Sequence, residues 1–210
     1  MFINDRNALV YKYDSETFLV EAWGPSAFRI RATHESSFLS ENWALTEPIP
    51  NTSPTVAIQP SPLDPDKPKP PPQTATITNG LLTAQLSPHG KLTITTPHPT
   101  TSTRTTLLEE FDRHRLDSLD PDEHIYGVGQ YQQPDLDLKG ADLELAQRNS
   151  QASVPFAVSS LGYGFLWGQP AVGRVVFGKN VTTWEARSSR VLDYWVMGVC
   201  GDGGAGAGDA

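Results

Sequence analysis

Cysteine is nearly absent from this chain. Cys200 is the only one in 210 residues, which excludes an internal disulfide framework. Basic residues are scarce too: 16 Lys and Arg stand against 24 Asp and Glu, and the net charge of -8 repels phosphate backbones, so nucleic acid is not an expected partner. Neutral ligands such as sugars stay open. No apolar run reaches the length of about 18 residues that a membrane span needs. Asn4 to Asn7 interrupt the N-terminus where a secretory signal would be continuously apolar, so the expectation is a cytoplasmic protein with no membrane partner. A sustained helical period is missing, and so is any internal repeat.

Strand chemistry is what the chain does have. With 38% hydrophobic and 9% aromatic residues it can bury one full core. LVYKY (9–13) and TFLVEA (17–22) flank the polar turn Asp14-Ser15-Glu16. In AFRIRAT (27–33), Phe28, Ile30 and Ala32 fall on one face and Arg29 and Arg31 on the other, which predicts a half-buried strand with its arginines in solvent. ATITNGLLTAQL predicts a hairpin at Asn79-Gly80, because both turn positions favour positive φ, and SPHGKLTITT turns again at His89-Gly90. Thr74, Thr76 and Thr78 suit a solvent-facing pleat. In VPFAVSSLGYGFLW, Val154, Phe156 and Val158 alternate with Pro155, Ala157 and Ser159, giving one bulky apolar face, and the chain turns back through Gly162 and Gly164. The fold class that follows is mainly β, with antiparallel strands.

Ten of the 18 prolines lie between Pro48 and Pro72. Proline fixes φ and removes a donor, so 48–72 is expected to be a surface insertion, extended and poorly packed. Pro68-Lys69-Pro70-Pro71-Pro72 could also be a ligand for a proline-binding domain, which would make the chain a non-enzymatic interaction protein. EEFDRHRLDSLDPDE (109–123) holds seven carboxylates and reads as a solvated acidic loop. His114 with Asp112 or Asp117 fits no compact ligand spacing, so no metal is expected. GDGGAG (201–206) has the glycine spacing of a dinucleotide fingerprint without a helix after it. Residues 197–210 therefore read as a disordered Gly/Ala tail, and no cofactor is expected. Trp167, Trp184 and Trp195 are either sugar-stacking platforms or core, a choice that exposure decides.

QYQQPDLDLKGADLE (130–144) is where chemistry can reside, since a sugar site combines amides and carboxylates with an aromatic ring. Asp135 and Asp137 lie two apart and would share a side in an extended chain. A glycosidase acid and nucleophile must approach the sugar from opposite sides, so no catalytic residue is assigned.

YGVGQ (126–130), LDLKG (136–140), ELAQRNSQASVPFAVSSLGYGFLW (144–167), GRVVFGKN (173–180) and LDYWV (192–196) follow one another in an order that resembles glycoside hydrolase family 31, most nearly its α-xylosidase-like members. AWGPSAFRIRAT (22–33) is similar to the start of the same region. What is resembled is the front domain, residues 1–196 here. In the family this domain is a galactose-mutarotase-like antiparallel β-sandwich that precedes a (β/α)8 barrel carrying two catalytic aspartates. The resemblance implies hydrolysis of α-xylosides or α-glucosides, with the barrel as partner, an apolar docking face, and no activity for this chain by itself. It also implies that a front-domain loop helps wall the substrate pocket, with Tyr131, Gln132, Gln133, Asp135 and Asp137 as the substrate-binding candidates. The abrupt Gly/Ala sequence after Val196 suggests a truncated gene model, a frameshift or a retained intron, with a genuine short protein as the other reading. A stand-alone carbohydrate-binding module is the alternative.

Overall fold

Alternation with a period of two gives each strand one face to bury, and two sheets meet that need by packing face to face. The computed structural model describes residues 1–38, 53–60, 73–97, 104–110, 115–117 and 120–198, which hold seventeen strands and no helix. In spatial order the first sheet contains β1 (Phe2–Asp5), β2 (Ala8–Tyr13), β3 (Glu16–Ala22), β4 (Ala27–Thr33), β17 (Val191–Gly198), β14 (Tyr163–Trp167), β13 (Ala152–Ser159) and β11 (Ile125–Gln130). The second contains β12 (Asp142–Leu145), β15 (Gly173–Phe177), β16 (Val181–Ala186), β10 (Arg115–Asp117), β9 (Arg104–Glu110), β8 (Leu92–Pro97), β7 (Leu82–Leu86), β6 (Gln73–Asn79) and β5 (Thr55–Pro60). All the pairings are antiparallel. Because β17 lies between β4 and β14, the N-terminal meander and the segment after residue 120 share one sheet.

The core between the sheets takes Phe18, Phe28, Ile30 and Tyr194 from the first and Ile77, Leu82, Leu92, Phe177 and Trp184 from the second. Phe165 spans the gap, its ring 4.9 Å from Trp184 and 5.0 Å from Tyr194. Ring pairs of this kind add about 0.5–1.5 kcal/mol each beyond their buried area. Trp167 and Trp184 belong to this core and Trp195 is fully buried behind the first sheet, so none of the three is a stacking platform.

Several local expectations change. Arg29 is not in solvent: it is 6% exposed, because the outer face of the first sheet is itself covered around Val10, Leu19, Trp23 and Trp195. Its guanidinium lies 5.2 Å from the Trp23 ring and 4.7 Å from that of Trp195, while Arg31 pairs with Glu21 at 2.8 Å. The β6–β7 hairpin turns one residue later than Asn79-Gly80. Asn79 pairs with Leu82, leaving Gly80-Leu81 as the loop with positive φ at Gly80 alone. Asn79 is buried instead, and its Nδ2 donates to the Gly24 and Ala27 carbonyls at 2.8 Å each. The bulky face of VPFAVSS points away from the core, which receives Ser153, Ala157 and Ser159.

The acidic stretch is not uniformly solvated either. Glu110 and Glu123 are 0% and 4% exposed. Glu110 accepts from the Tyr194 hydroxyl, and Glu123 accepts from Ser159 Oγ at 2.5 Å, the Tyr163 hydroxyl at 2.7 Å and Lys139 Nζ at 3.2 Å. Those bonds offset the loss of hydration that burial imposes on a carboxylate. Within the proline-rich segment, TVAIQP is the edge strand β5, a place where proline's missing donor is tolerated. Met197 and Gly198, read as tail, continue β17. Residues 48–52 and 61–72, the residues Asp112 and His114, and 199–210 lie outside the described residues.

Candidate functional site

The YGVGQ motif builds a bulge. Gly127, Val128 and Gly129 all have positive φ, at 109°, 54° and 98°, and the β11–β13 register slips between the two glycines. A Cβ on Gly127 would lie 2.5 Å from the Phe156 carbonyl oxygen, and one on Gly129 2.1 Å from that of Ala152. Glycine is required at both. Val128 tolerates the left-handed region only because its side chain is fully buried in the core, and a β-branched residue held there is strained. Bulges of this kind re-aim the strand that follows. Here pairing resumes in a shifted register, with Gln130 opposite Ala152, and the loop follows directly.

That loop is fastened at both ends. The Tyr131 hydroxyl donates to the Glu144 carbonyl at 3.0 Å and meets Ser153 Oγ at 2.8 Å. Farther on, Asp137 Oδ1 accepts from the Ile125 and Lys139 amides at 3.0 and 3.1 Å, and Oδ2 lies 2.6 Å from His124 Nδ1. The His124 hydrogen bond, seconded by the two amides, holds the Asp137 carboxyl below the usual carboxylate range. The Leu138 amide donates to Ile125 O at 2.8 Å, closing the loop onto β11.

Between the two fastenings is a shallow cavity of about 240 Å³ lined by Gln130, Tyr131, Gln133, Asp135, Leu136 and Leu138 with the two glycines. Three of the five candidates, Tyr131, Gln133 and Asp135, line it. Gln132 is exposed outside it, and Asp137 is turned to His124 and the backbone. Asp135 and Asp137 therefore do not share a face, since the segment is a loop rather than a strand. Leu136, 81% exposed beside Asp135, was missed by the sequence reading, which weighed only its polar neighbours. Gln133 and Asp135 offer a donor and acceptors for hydroxyls next to the apolar surface of Leu136, a combination suited to binding. Among the described residues no group of three His, Cys, Asp or Glu could hold a metal ion.

No family model matches the chain. An uncharacterized family 31 glucosidase, ORF2 of Pseudescherichia vulneris, is 34% identical over 232 residues, covering 92% of this chain and 40% of its own length. The crystal structure of a GH31 α-xylosidase from a soil metagenome complexed with xylose matches with a TM-score of 0.79 and 36% identity, over 95% of this chain and 32% of that one. The chain carries the N-terminal β-sandwich domain of family 31 glycosidases. Alpha-xylosidase A of Aspergillus niger adds 36% identity over 88 residues, 42% of this chain and 12% of its own. The family 31 domain thus spans well under half the length of the relatives it matches.

Proposed function

We propose that this chain serves as the front domain of an α-glycosidase acting on α-xylosides, with α-glucosides as the nearest alternative, and that loop 130–138 forms part of the substrate pocket wall. The observation that carries the reading is the 36% identity to a xylose-bound α-xylosidase along 95% of the chain. In this account Gln133 and Asp135 bind sugar hydroxyls and Leu136 covers an apolar sugar face. Tyr131 and Asp137 hold the loop in shape, and Gln132 is marginal.

The partner is the catalytic barrel of the same enzyme, and the outer face of the first sheet near β11 is the surface that receives it. Tyr126 and Val154 are 37% and 51% exposed there, and Phe156, Val158, Leu166 and Met197 share the face by register: Tyr126 is paired with Val158, and Phe156 with Leu166. An apolar patch of this extent on a sheet face favours a partner. The matched relatives run on far enough to supply one.

A chimera tests the reading. Residues 1–196 would replace the matching segment of the soil-metagenome α-xylosidase, and release of xylose from an α-xyloside would be followed. Turnover is expected. A chimera that folds and does not turn over overturns the reading.

A further inference from the structure

At one end of the sandwich the two sheets part, leaving a cleft of about 510 Å³ between the ends of β4, β14 and β16 and the start of β17. It shares no lining residue with the loop cavity. We propose that this cleft is a second, non-catalytic saccharide site. Its volume falls in the range of small-ligand pockets, about 300–1,000 Å³. Its inner wall is backed by Trp167, Trp184 and Ala32, which stay at most 5% exposed and offer no open ring face, with the partly buried Leu192 beside them.

The rim is polar and held in place. Gln169 Nε2 donates to the Val191 carbonyl at 2.8 Å, Ser189 Oγ donates to Gln169 Oε1 at 2.6 Å, and Thr33 Oγ1 donates to the Arg190 carbonyl at 3.0 Å. This framework presents Glu185, Arg190 and His34, all exposed, at the cleft mouth. Carboxylate, guanidinium and imidazole together offer acceptors and donors of both signs in front of an apolar inner wall. A neutral polyhydroxyl compound fits that set better than an ion of either charge or a purely apolar ligand. The choice of sugar among such compounds rests on the glycosidase reading above.

The test is titration of the full chain with xylose, xylobiose and maltose, read by intrinsic tryptophan fluorescence and by 19F NMR of 5-fluorotryptophan-labelled protein. Saturable binding is expected, with the Trp167 and Trp184 resonances moving while those of Trp23 and Trp195, behind the first sheet, stay in place. Glu185→Ala and Arg190→Ala, both at exposed positions that folding does not need, should each weaken binding about tenfold, the effect of one lost charged hydrogen bond. Gln133→Ala with Asp135→Ala should leave the saturation curves of the Trp167 and Trp184 resonances unchanged, because the loop lies outside the cleft. Absence of saturation overturns the proposal, and so does binding that only the loop variants weaken. In either case turnover by the chimera would still stand as support for the glycosidase reading, because it does not involve the cleft.

Discussion

Arg29 and Asp193 meet behind the first sheet in a buried pair: Arg29 Nε donates to Oδ1 at 2.9 Å and Nη2 to Oδ2 at 2.6 Å. The contact crosses from β4 to β17, joining strands far apart in sequence, and Trp23 and Trp195 exclude water from it. Asp193→Ala leaves the buried Arg29 with only Glu21, 4.0 Å from its Nε, and should cost about 3 kcal/mol, read from the denaturant midpoint. Replacing both together, as Arg29→Met with Asp193→Leu, should cost less than the single change.

The glycines of the bulge should be unequal to other left-handed glycines. Gly129 and Gly162 have φ of 98° and 84°, but a Cβ at Gly162 meets nothing within 4 Å, whereas at Gly129 it strikes backbone. Gly162→Ala should therefore cost only the conformational penalty of about 1–2 kcal/mol. Gly129→Ala should cost distinctly more in the same thermal unfolding experiment and should loosen loop 130–138.

Asp137 predicts an acid response. Its pKa is depressed in the folded protein, chiefly by the His124 hydrogen bond, so its contribution is intact above the ordinary Asp value of about 3.9 and is lost as pH falls through the lowered one. Amide exchange at Ile125 and Lys139 should accelerate over that window. In Asp137→Ala the two amides should exchange fast at neutral pH already.

Tyr163 predicts the opposite limb. Burial first, and the neighbouring Glu123 charge second, push its phenol above the usual tyrosine value. The unfolded chain ionises at about pH 10 while the folded one keeps its proton, so stability is full below about pH 10 and falls as pH rises beyond it. Tyr163→Phe should flatten that alkaline slope, as urea titrations at stepped pH would show.

The strands were legible because their signals are local: β4 and β13 alternate apolar and polar or small residues, while β2, β3 and β14 are short apolar-aromatic runs bounded by polar or glycine turns. The faces were less so. Nothing local in AFRIRAT says that both sides of its sheet are covered, and Arg29 is buried by residues distant in sequence. The same limit hid Glu110 and Glu123, whose partners Tyr194, Ser159 and Tyr163 come from other strands. Of the loop, the residue types pointed to sugar chemistry, but only the fold separates Gln133 and Asp135 at the cavity from Asp137 in the loop's own fastening. The strain at Val128 had no signal beyond its two flanking glycines.

The claim that the loop walls a substrate pocket is tested most directly by the KM of the chimera for an α-xyloside. Gln133→Ala and Asp135→Ala should each raise it about fivefold with kcat unchanged, as loss of one hydrogen bond made equally to substrate and transition state requires. Unaltered KM in both variants would contradict the account, whatever the chimera's turnover.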